Sequence, residues 1–353
     1  MSSLPTATPG LLALIGSGET TAHAGVVYDR LAANAPTPLP IAILETPAGF
    51  QPNSAQVAGK VADYLRTRLQ GMRPDVSLIA ARARGSAASP DDPAISASLQ
   101  QARLIFLGAG SPTYAVRQLA GSLAWQRTLA RHRHGAALAT ASAATVAMGA
   151  LALPVYEIFK VGSDLHWQPG LDLLGPYGLR LILVPHWDNA EGGAELDTSR
   201  CFVGQARFAQ LLALLPPGYT VVGIDEHTDL LFDLVAGTGQ VFGRGSVTVM
   251  TPDGQTRRYA RQDTLALSEL GPFQLPDPTA DLPAEVWAWA APAQPDPAPA
   301  PAIPPEVTNL VAARQHARAA RDWPAADTIR QQLAGLGWQV RDTPEGPVLE
   351  ALS

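Results

Sequence analysis

The sequence predicts an α/β fold in which a mostly parallel sheet is covered by helices, followed by a small C-terminal α-helical hairpin. Three patterns carry this reading. First, short runs at 11–15, 41–45, 76–80, 104–107, 136–140, 181–185 and 221–224 are apolar at successive positions, as strands buried on both faces are. Second, helix-like segments near 54–70, 91–102, 113–131, 143–150 and 199–215 lie between them, and this alternation is the signature of parallel strands joined by crossover helices. Third, "LLFDLVAGTGQVFGRGSVTVM" (230–250) breaks the alternation, because apolar runs separated by glycine-rich turns read as antiparallel hairpins at a sheet edge.

The α/β domain is assigned to residues 1–271, and it is expected to stay folded when the chain is cut after about residue 275. Residues 272–305 read as a Pro/Ala-rich linker, since "APAQPDPAPAPAIPP" (291–305) can form neither a helix nor a central strand and favours extended polyproline II. Residues 306–353 read as the helical hairpin with a short extended tail. Leu310 with Val311, then Ala326, Ile329, Leu333 and Leu336, recur at three- and four-residue spacings. Asp322 before Pro324 marks a helix start, and Gly335 and Gly337 mark its stop.

The chain has 353 residues, 46% hydrophobic and 16% charged, which suits a large globular core. A net charge of −6 argues against a chain-wide electrostatic grip on nucleic acid. Cys201 is the single cysteine, so no disulfide forms within the chain, which is compatible with a reducing compartment. The opening "MSSLPTATPG" lacks a basic n-region and an apolar core, and no apolar run is long enough to cross a bilayer. The expected setting is cytoplasmic, with no membrane partner.

Open parallel sheets bind ligands beyond the carboxyl ends of their strands. The residues there are Gly16-Ser17-Gly18-Glu19, Thr46-Pro47-Ala48-Gly49, Gly108-Ala109-Gly110-Ser111, Ser142, His186-Trp187-Asp188-Asn189 and Asp225-Glu226-His227. Ser142, in "ATASAATVAMGA", sits between a strand and a helix. It is either an alanine-packed junction or a nucleophile elbow that exposes its hydroxyl. A serine needs a base to become nucleophilic, and His186 is the candidate. The base needs an acid to orient it, and Glu157 or Asp164, in "VYEIFKVGSD", could serve. The amides of Gly110 and Ala143 are candidates for an oxyanion hole. Ser111, Asp188, Asn189 and Glu226 are expected to face substrate, and Arg200 to hold a substrate carboxylate or lie at the surface. "GSGETT" lacks the third glycine of a dinucleotide fingerprint and reads as a tight turn; His186 with Asp188 is too few ligands for a metal; Cys201 reads as a small packed hydrophobe. In the hairpin, Arg314, Arg318, Arg321 and Arg330 read as a solvated face or as RNA-backbone contacts.

Four segments, "LIFLGAGSPTYAVRQL", "ATASAATVAMGAL", "LILVPHWDNAEGG" and "VVGIDEHTDLL", occur in this order. Together they resemble the serine-hydrolase branch of the class I glutamine-amidotransferase-like superfamily, the dipeptidase E and cyanophycinase group, over about residues 11–250. The resemblance implies a flavodoxin-like three-layer α/β/α sandwich and a serine in a Gly-x-Ser-Ala-Gly turn, matched by Ser142 with Ala143. It also implies a histidine in a Pro-His-Phe-like motif, matched by Pro185-His186-Trp187, and an acid at the position of Glu157. The loop matching Gly108–Ser111 would contribute to the oxyanion hole and substrate contacts. Hydrolysis of peptide or isopeptide bonds near aspartate, with no cofactor, is the implied activity. Thr140 and Ala144 stand where the family turn has glycines.

The segment "ARQHARAARDWPAADTIRQQLAGLGWQVRDTPEG" resembles the end of cysteinyl-tRNA synthetase over about residues 306–350. That enzyme's His-Ile-Gly-His motif and zinc cysteines are absent, so cysteinyl-tRNA synthesis is not expected. Three readings stand: a serine peptidase or amidase acting on a small peptide-like substrate, a catalytically silent ligand-binding domain, and an adaptor whose hairpin meets RNA or protein. Self-association into a homo-oligomer is left open.

Overall fold

The structure, a computed structural model, describes residues 7–291, 304–343 and 346–351. The chain forms two compact units, Met1–Pro292 and Ala293–Ser353. The elements of the first are β1 (Leu12–Ile15), α1 (Ala22–Ala32), β2 (Leu39–Leu44), α2 (Ser54–Arg68), β3 (Pro74–Ile79), β4 (Leu104–Leu107), α3 (Pro112–Leu119), α4 (Leu123–Arg133), β5 (Ala137–Ala141), α5 (Ala143–Ala147), β6 (Leu151–Ala152), β7 (Gln168–Pro169), β8 (Leu181–Val184), α6 (Gln205–Ala213), β9 (Thr220–Ile224), β10 (Thr228–Asp233), β11 (Thr238–Gly243), β12 (Ser246–Met250), β13 (Thr256–Ala260), β14 (Thr264–Ala266) and α7 (Ala284–Ala290).

Eight strands form the main sheet, in the order β14-β11-β10-β1-β5-β4-β2-β3. The run β1-β5-β4-β2-β3 is parallel, and β10, β11 and β14 extend it antiparallel. A smaller sheet, β13-β12-β9-β8, keeps β8 and β9 parallel. The strands read as continuous apolar runs because both faces are covered: along β1, Leu12 and Leu14 pack into one core and Ala13 and Ile15 into the other. The α/β class expected from the sequence is the class observed; of the glycine-rich region 230–250, β10 and β11 extend the main sheet antiparallel, whereas β12 joins the smaller sheet between β13 and β9.

Several local expectations are corrected. Residues 91–102 are turns with a short 3-10 segment, Ala97–Gln100, because Pro90 and Pro93 interrupt any helix. The segment 113–131 is two helices. Gly121, at φ +69°, breaks it, and Ser122 caps α4 by accepting from the Trp125 amide at 3.2 Å. Helix α1 was not foreseen.

The boundary after residue 271 is also corrected. Residues 272–291 pack on α4 within the first unit. Arg131, 1% exposed, donates from Nη1 to the Ala290 carbonyl at 2.6 Å and from Nη2 to the Ala102 carbonyl at 2.9 Å. Arg133 donates to the Pro278 and Ala280 carbonyls, His134 stacks on Trp287 at 3.8 Å, and Arg127 lies over the Trp289 ring at 4.0 Å. A basic helix end is thus roofed by carbonyls and tryptophans rather than by carboxylates. The Pro-Ala run at 292–303 lies outside the described residues.

The second unit contains α8 (Pro305–Ala319), α9 (Trp323–Gly335), β15 (Trp338–Thr343) and β16 (Gly346–Ala351). The extended tail is an antiparallel β-hairpin of β15 and β16. Val307, Leu333, Trp338 and Val340 form its core, and Asp322 caps α9 through the Ala325 amide at 3.1 Å. Arg314 is buried against Asp342 in a two-bond pair at 2.9 and 2.8 Å, and Arg318 joins the same carboxylate at 3.0 Å. Those two arginines therefore do not form an unpaired solvated face.

Candidate active site

Ser142 follows β5, a strand buried along its whole length between β1 and β4. Its backbone turns at φ +52°, ψ −117°, a conformation that costs a non-glycine residue strain and projects the side chain off the sheet end. The turn is held by neighbours: the Ser142 amide donates to the Ile15 carbonyl at 3.2 Å, and the Ala144 amide to the Gly108 carbonyl at 3.2 Å. Thr140 is accommodated. Its hydroxyl meets the Thr145 hydroxyl at 3.0 Å, and Thr145 Oγ1 donates to the Ile15 carbonyl at 3.2 Å. Thr140 and Ala144 are thus absorbed in a buried hydroxyl pair and an alanine-packed helix start.

His186 follows β8 and also has positive φ, +52°. Its Nε2 is 2.9 Å from Ser142 Oγ, and its Nδ1 is 2.9 Å from Glu226 Oε1. Glu226 follows β9, the parallel neighbour of β8, so the two residues leave adjacent strands at the same end of the small sheet. Asn189 Nδ2 donates to the same Glu226 oxygen at 2.7 Å, and the Glu226 amide donates to Asp188 Oδ1 at 2.6 Å. The bonds from His186 and Asn189 hold the Glu226 carboxyl below the usual carboxylate range against the opposing effect of burial.

Three consecutive left-handed residues, Arg200, Cys201 and Phe202, fasten the histidine loop. The Arg200 amide donates to the Trp187 carbonyl at 2.9 Å and the Cys201 amide to the His186 carbonyl at 3.1 Å. Cys201 is buried, as expected of a small hydrophobe, and burial pushes its thiol up to about 12.

The Gly108–Ser111 loop ends β4, beside β5. A Cβ on Gly110 would fall 1.9 Å from the Pro47 carbonyl oxygen, so glycine is required by the close approach. The Ser111 amide donates to that carbonyl at 2.9 Å, and its hydroxyl caps α3 through the Tyr114 amide at 3.2 Å. Ala143 opens α5 directly after the serine.

The acid expected against His186 is corrected. Glu157 opens a π-helical turn, Glu157–Val161, and lines a cavity of about 530 Å³ with Ser111, Tyr114 and Tyr156; its Oε2 is buried without a hydrogen bond among the described residues. Asp164 is exposed, and its carbonyl accepts from His166 Nδ1. Neither reaches the histidine; Glu226, expected only as a substrate contact, does. Its signal in the sequence was its place directly after a strand, in Asp225-Glu226-His227. Arg200 lies over the Trp187 ring at 3.9 Å and donates to the Trp187 carbonyl at 2.7 Å, on a cavity that Ser142 does not line. Among the described residues no group of three or more His, Cys, Asp or Glu side chains is placed to hold a metal ion, and no helix is long and apolar enough to cross a membrane.

Residues 300–346 match the family described as the cysteinyl-tRNA ligase anticodon binding domain. Curated relatives of this part include a cysteine–tRNA ligase of Rubrobacter xylanophilus, 50% identical over 46 residues, 13% of this chain and 10% of that protein. The cysteine–tRNA ligase of Phenylobacterium zucineum is 58% identical over 40 residues, 11% of this chain and 8% of that protein. The chain spans about a tenth of the length of these relatives. Among solved structures, a peptidase from an acI-B1 Actinobacterium superposes with a TM-score of 0.59 at 20% identity, covering 74% of this chain and 98% of that one. The first unit therefore shares the α/β fold of that structure, and the C-terminal segment is similar to the anticodon-binding domain of cysteinyl-tRNA ligases.

Proposed function

We propose that the protein is a serine-type peptidase or amidase that cleaves a small peptide or isopeptide bond. The observation that carries this is the unbroken chain Ser142 Oγ, His186 Nε2, His186 Nδ1, Glu226 Oε1, with both contacts at 2.9 Å. His186 takes the Ser142 proton as the hydroxyl attacks the scissile carbonyl carbon, and Glu226 fixes the ring and stabilises the imidazolium that forms. The amides of Gly110 and Ala143 receive the developing oxyanion. Collapse breaks the C–N bond; His186 Nε2 returns the proton to the leaving nitrogen, leaving an acyl ester on Ser142. A water molecule, deprotonated by His186, then attacks that ester; the C–Oγ bond breaks, His186 returns the proton to Ser142 Oγ, and the acid is released. Apart from the attacking water, the groups these steps use are residues of the chain. An active-site-directed fluorophosphonate should label the protein once, at Ser142, and Ser142→Ala should abolish labelling. A protein that remains unlabelled, or labels elsewhere, refutes the assignment.

A second role attaches to the C-terminal segment, favoured by its similarity to an anticodon-binding domain. There the segment contacts tRNA. Salt-sensitive tRNA binding that disappears on deleting 306–353 supports it, and binding unchanged by the deletion refutes it.

A further inference from the structure

A second cavity, of about 500 Å³, lies behind the histidine loop, between α6, β12 and β13, and neither Ser142 nor His186 lines it. One wall is apolar: Trp187 and Phe208 are buried and meet edge to face at 5.3 Å, with Leu212 and Met250 beside them. The rest is charged and balanced, two guanidiniums (Arg200, Arg258) against two carboxylates (Asp188, Asp225).

Arg258 pairs with Asp225 at 3.5 Å and donates from Nε to Ser246 Oγ at 2.6 Å, whereas Arg200 and Asp188 stay outside any ion pair among the described residues. Arg200 is half-buried and makes no ion pair among the described residues; its Nη1 donates to the Trp187 carbonyl, leaving its Nε–Nη2 edge without a hydrogen bond. That edge has the geometry that accepts a carboxylate through two parallel bonds. Asp225 engages Oδ2 with the Ser246 amide at 2.9 Å and hydroxyl at 2.7 Å, while Arg258 approaches that oxygen only at 3.5 Å, and Oδ1 takes no hydrogen bond. Asp188 is exposed and engages only Oδ1, with the Glu226 amide. A simple anion would meet the two carboxylates and a simple cation the two guanidiniums. A zwitterion answers both, and the aromatic wall answers an apolar body.

We propose that this cavity binds a free amino acid with an apolar side chain, its carboxylate on Arg200, its ammonium facing Asp188 and Asp225, and its side chain on Trp187 and Phe208. The volume falls within the range of small-molecule sites. The proposal goes beyond the hydrolase reading, and binding can be read without turnover. If that reading also holds, the ligand is of the class that peptide hydrolysis releases, bound where Asp188 supports the Glu226 backbone.

The test is calorimetric titration of the full-length protein with L-leucine, with leucinamide, which lacks the carboxylate, and with 4-methylpentanoate, which lacks the ammonium. L-leucine should bind at one site, and each analogue at least tenfold more weakly, since each loses a charge-assisted contact. Arg200→Met should weaken leucine binding by at least tenfold. Because Arg200 also holds the histidine loop, Ala209→Trp, an exposed helix position on the cavity, is the second variant; it should fill the space and abolish binding. Ser142→Ala should bind leucine as the unaltered protein does. Absence of leucine binding, equal binding of the three compounds, binding that survives Ala209→Trp, or binding lost with Ser142→Ala overturns the proposal.

Discussion

Replacing Glu226 by glutamine isolates the electrostatic part of the His186–Glu226 contact. The side chain keeps its length, and Asn189 Nδ2 can still donate to the remaining carbonyl oxygen, so the loop geometry is retained. What disappears is the negative charge facing the imidazolium that forms when Ser142 gives up its proton. The bonded atoms are 2.9 Å apart, which puts the charge centres about 4 Å apart; at an effective dielectric of about 20 this attraction is about 4 kcal/mol. The Glu226 side chain is 26% exposed, and screening by the adjacent water roughly halves the figure, to about 2–3 kcal/mol. The rate of any step passing through the imidazolium should fall by roughly 30- to 150-fold. The assay is the rate of phosphonylation of Ser142 followed by intact mass, which needs no knowledge of the substrate. Glu157→Gln, measured in parallel, should stay within about twofold of the unaltered protein, because that carboxylate does not touch the histidine. A Glu226→Gln variant that labels at the original rate, or a Glu157→Gln variant that loses labelling, refutes the argument.

Cutting the chain after residue 275 should unfold or aggregate the first unit, whereas cutting after 291 should leave its melting transition in place. The shorter form strips the carbonyl partners from Arg131, Arg133 and Gln100 and uncovers Ala130, at about 1–3 kcal/mol for each polar group left unsatisfied. Equal melting of the two forms would show that α7 is dispensable. Burial raises the Asp229 carboxyl to about 7, and neither of its oxygens has a hydrogen-bond partner among the described residues. A raised folded value stabilises fully below the unfolded value near 3.8 and is lost as pH rises through about 7, so Asp229→Asn should gain on the original protein by up to about 4 kcal/mol between pH 4 and pH 8. Denaturant titrations at both pH values that run parallel would refute this. Gly110→Ala should abolish labelling at Ser142 or prevent folding, because its methyl would fall inside the Pro47 carbonyl; a fully active variant would show that the loop yields freely.

The sequence by itself determined the strand and turn pattern of this protein. Local chemistry suffices for that: runs apolar at every position must be covered on both faces, and polar or glycine-bearing turns mark the ends where a cleft opens. It also determined where Ser142 and His186 lie relative to their strands, since each directly follows one. Helices were less legible where packing overrides periodicity. Prolines dissolved the segment at 91–102, and α7 hid inside a proline-rich stretch because its function is to roof Arg131, a partner far away in sequence. Which acid meets His186 was decided only by the tertiary structure. Ser142 and His186 are 44 residues apart and His186 and Glu226 are 40 apart, and no spacing rule joins them. The pairing follows from β8 and β9 lying parallel and adjacent, so that the residues after them leave the sheet at one end; Glu157, nearer in sequence, sits on a turn that faces another cavity. Strand order is set by the burial of whole faces rather than by any local signal, and it alone chose Glu226 over the carboxylates closer along the chain.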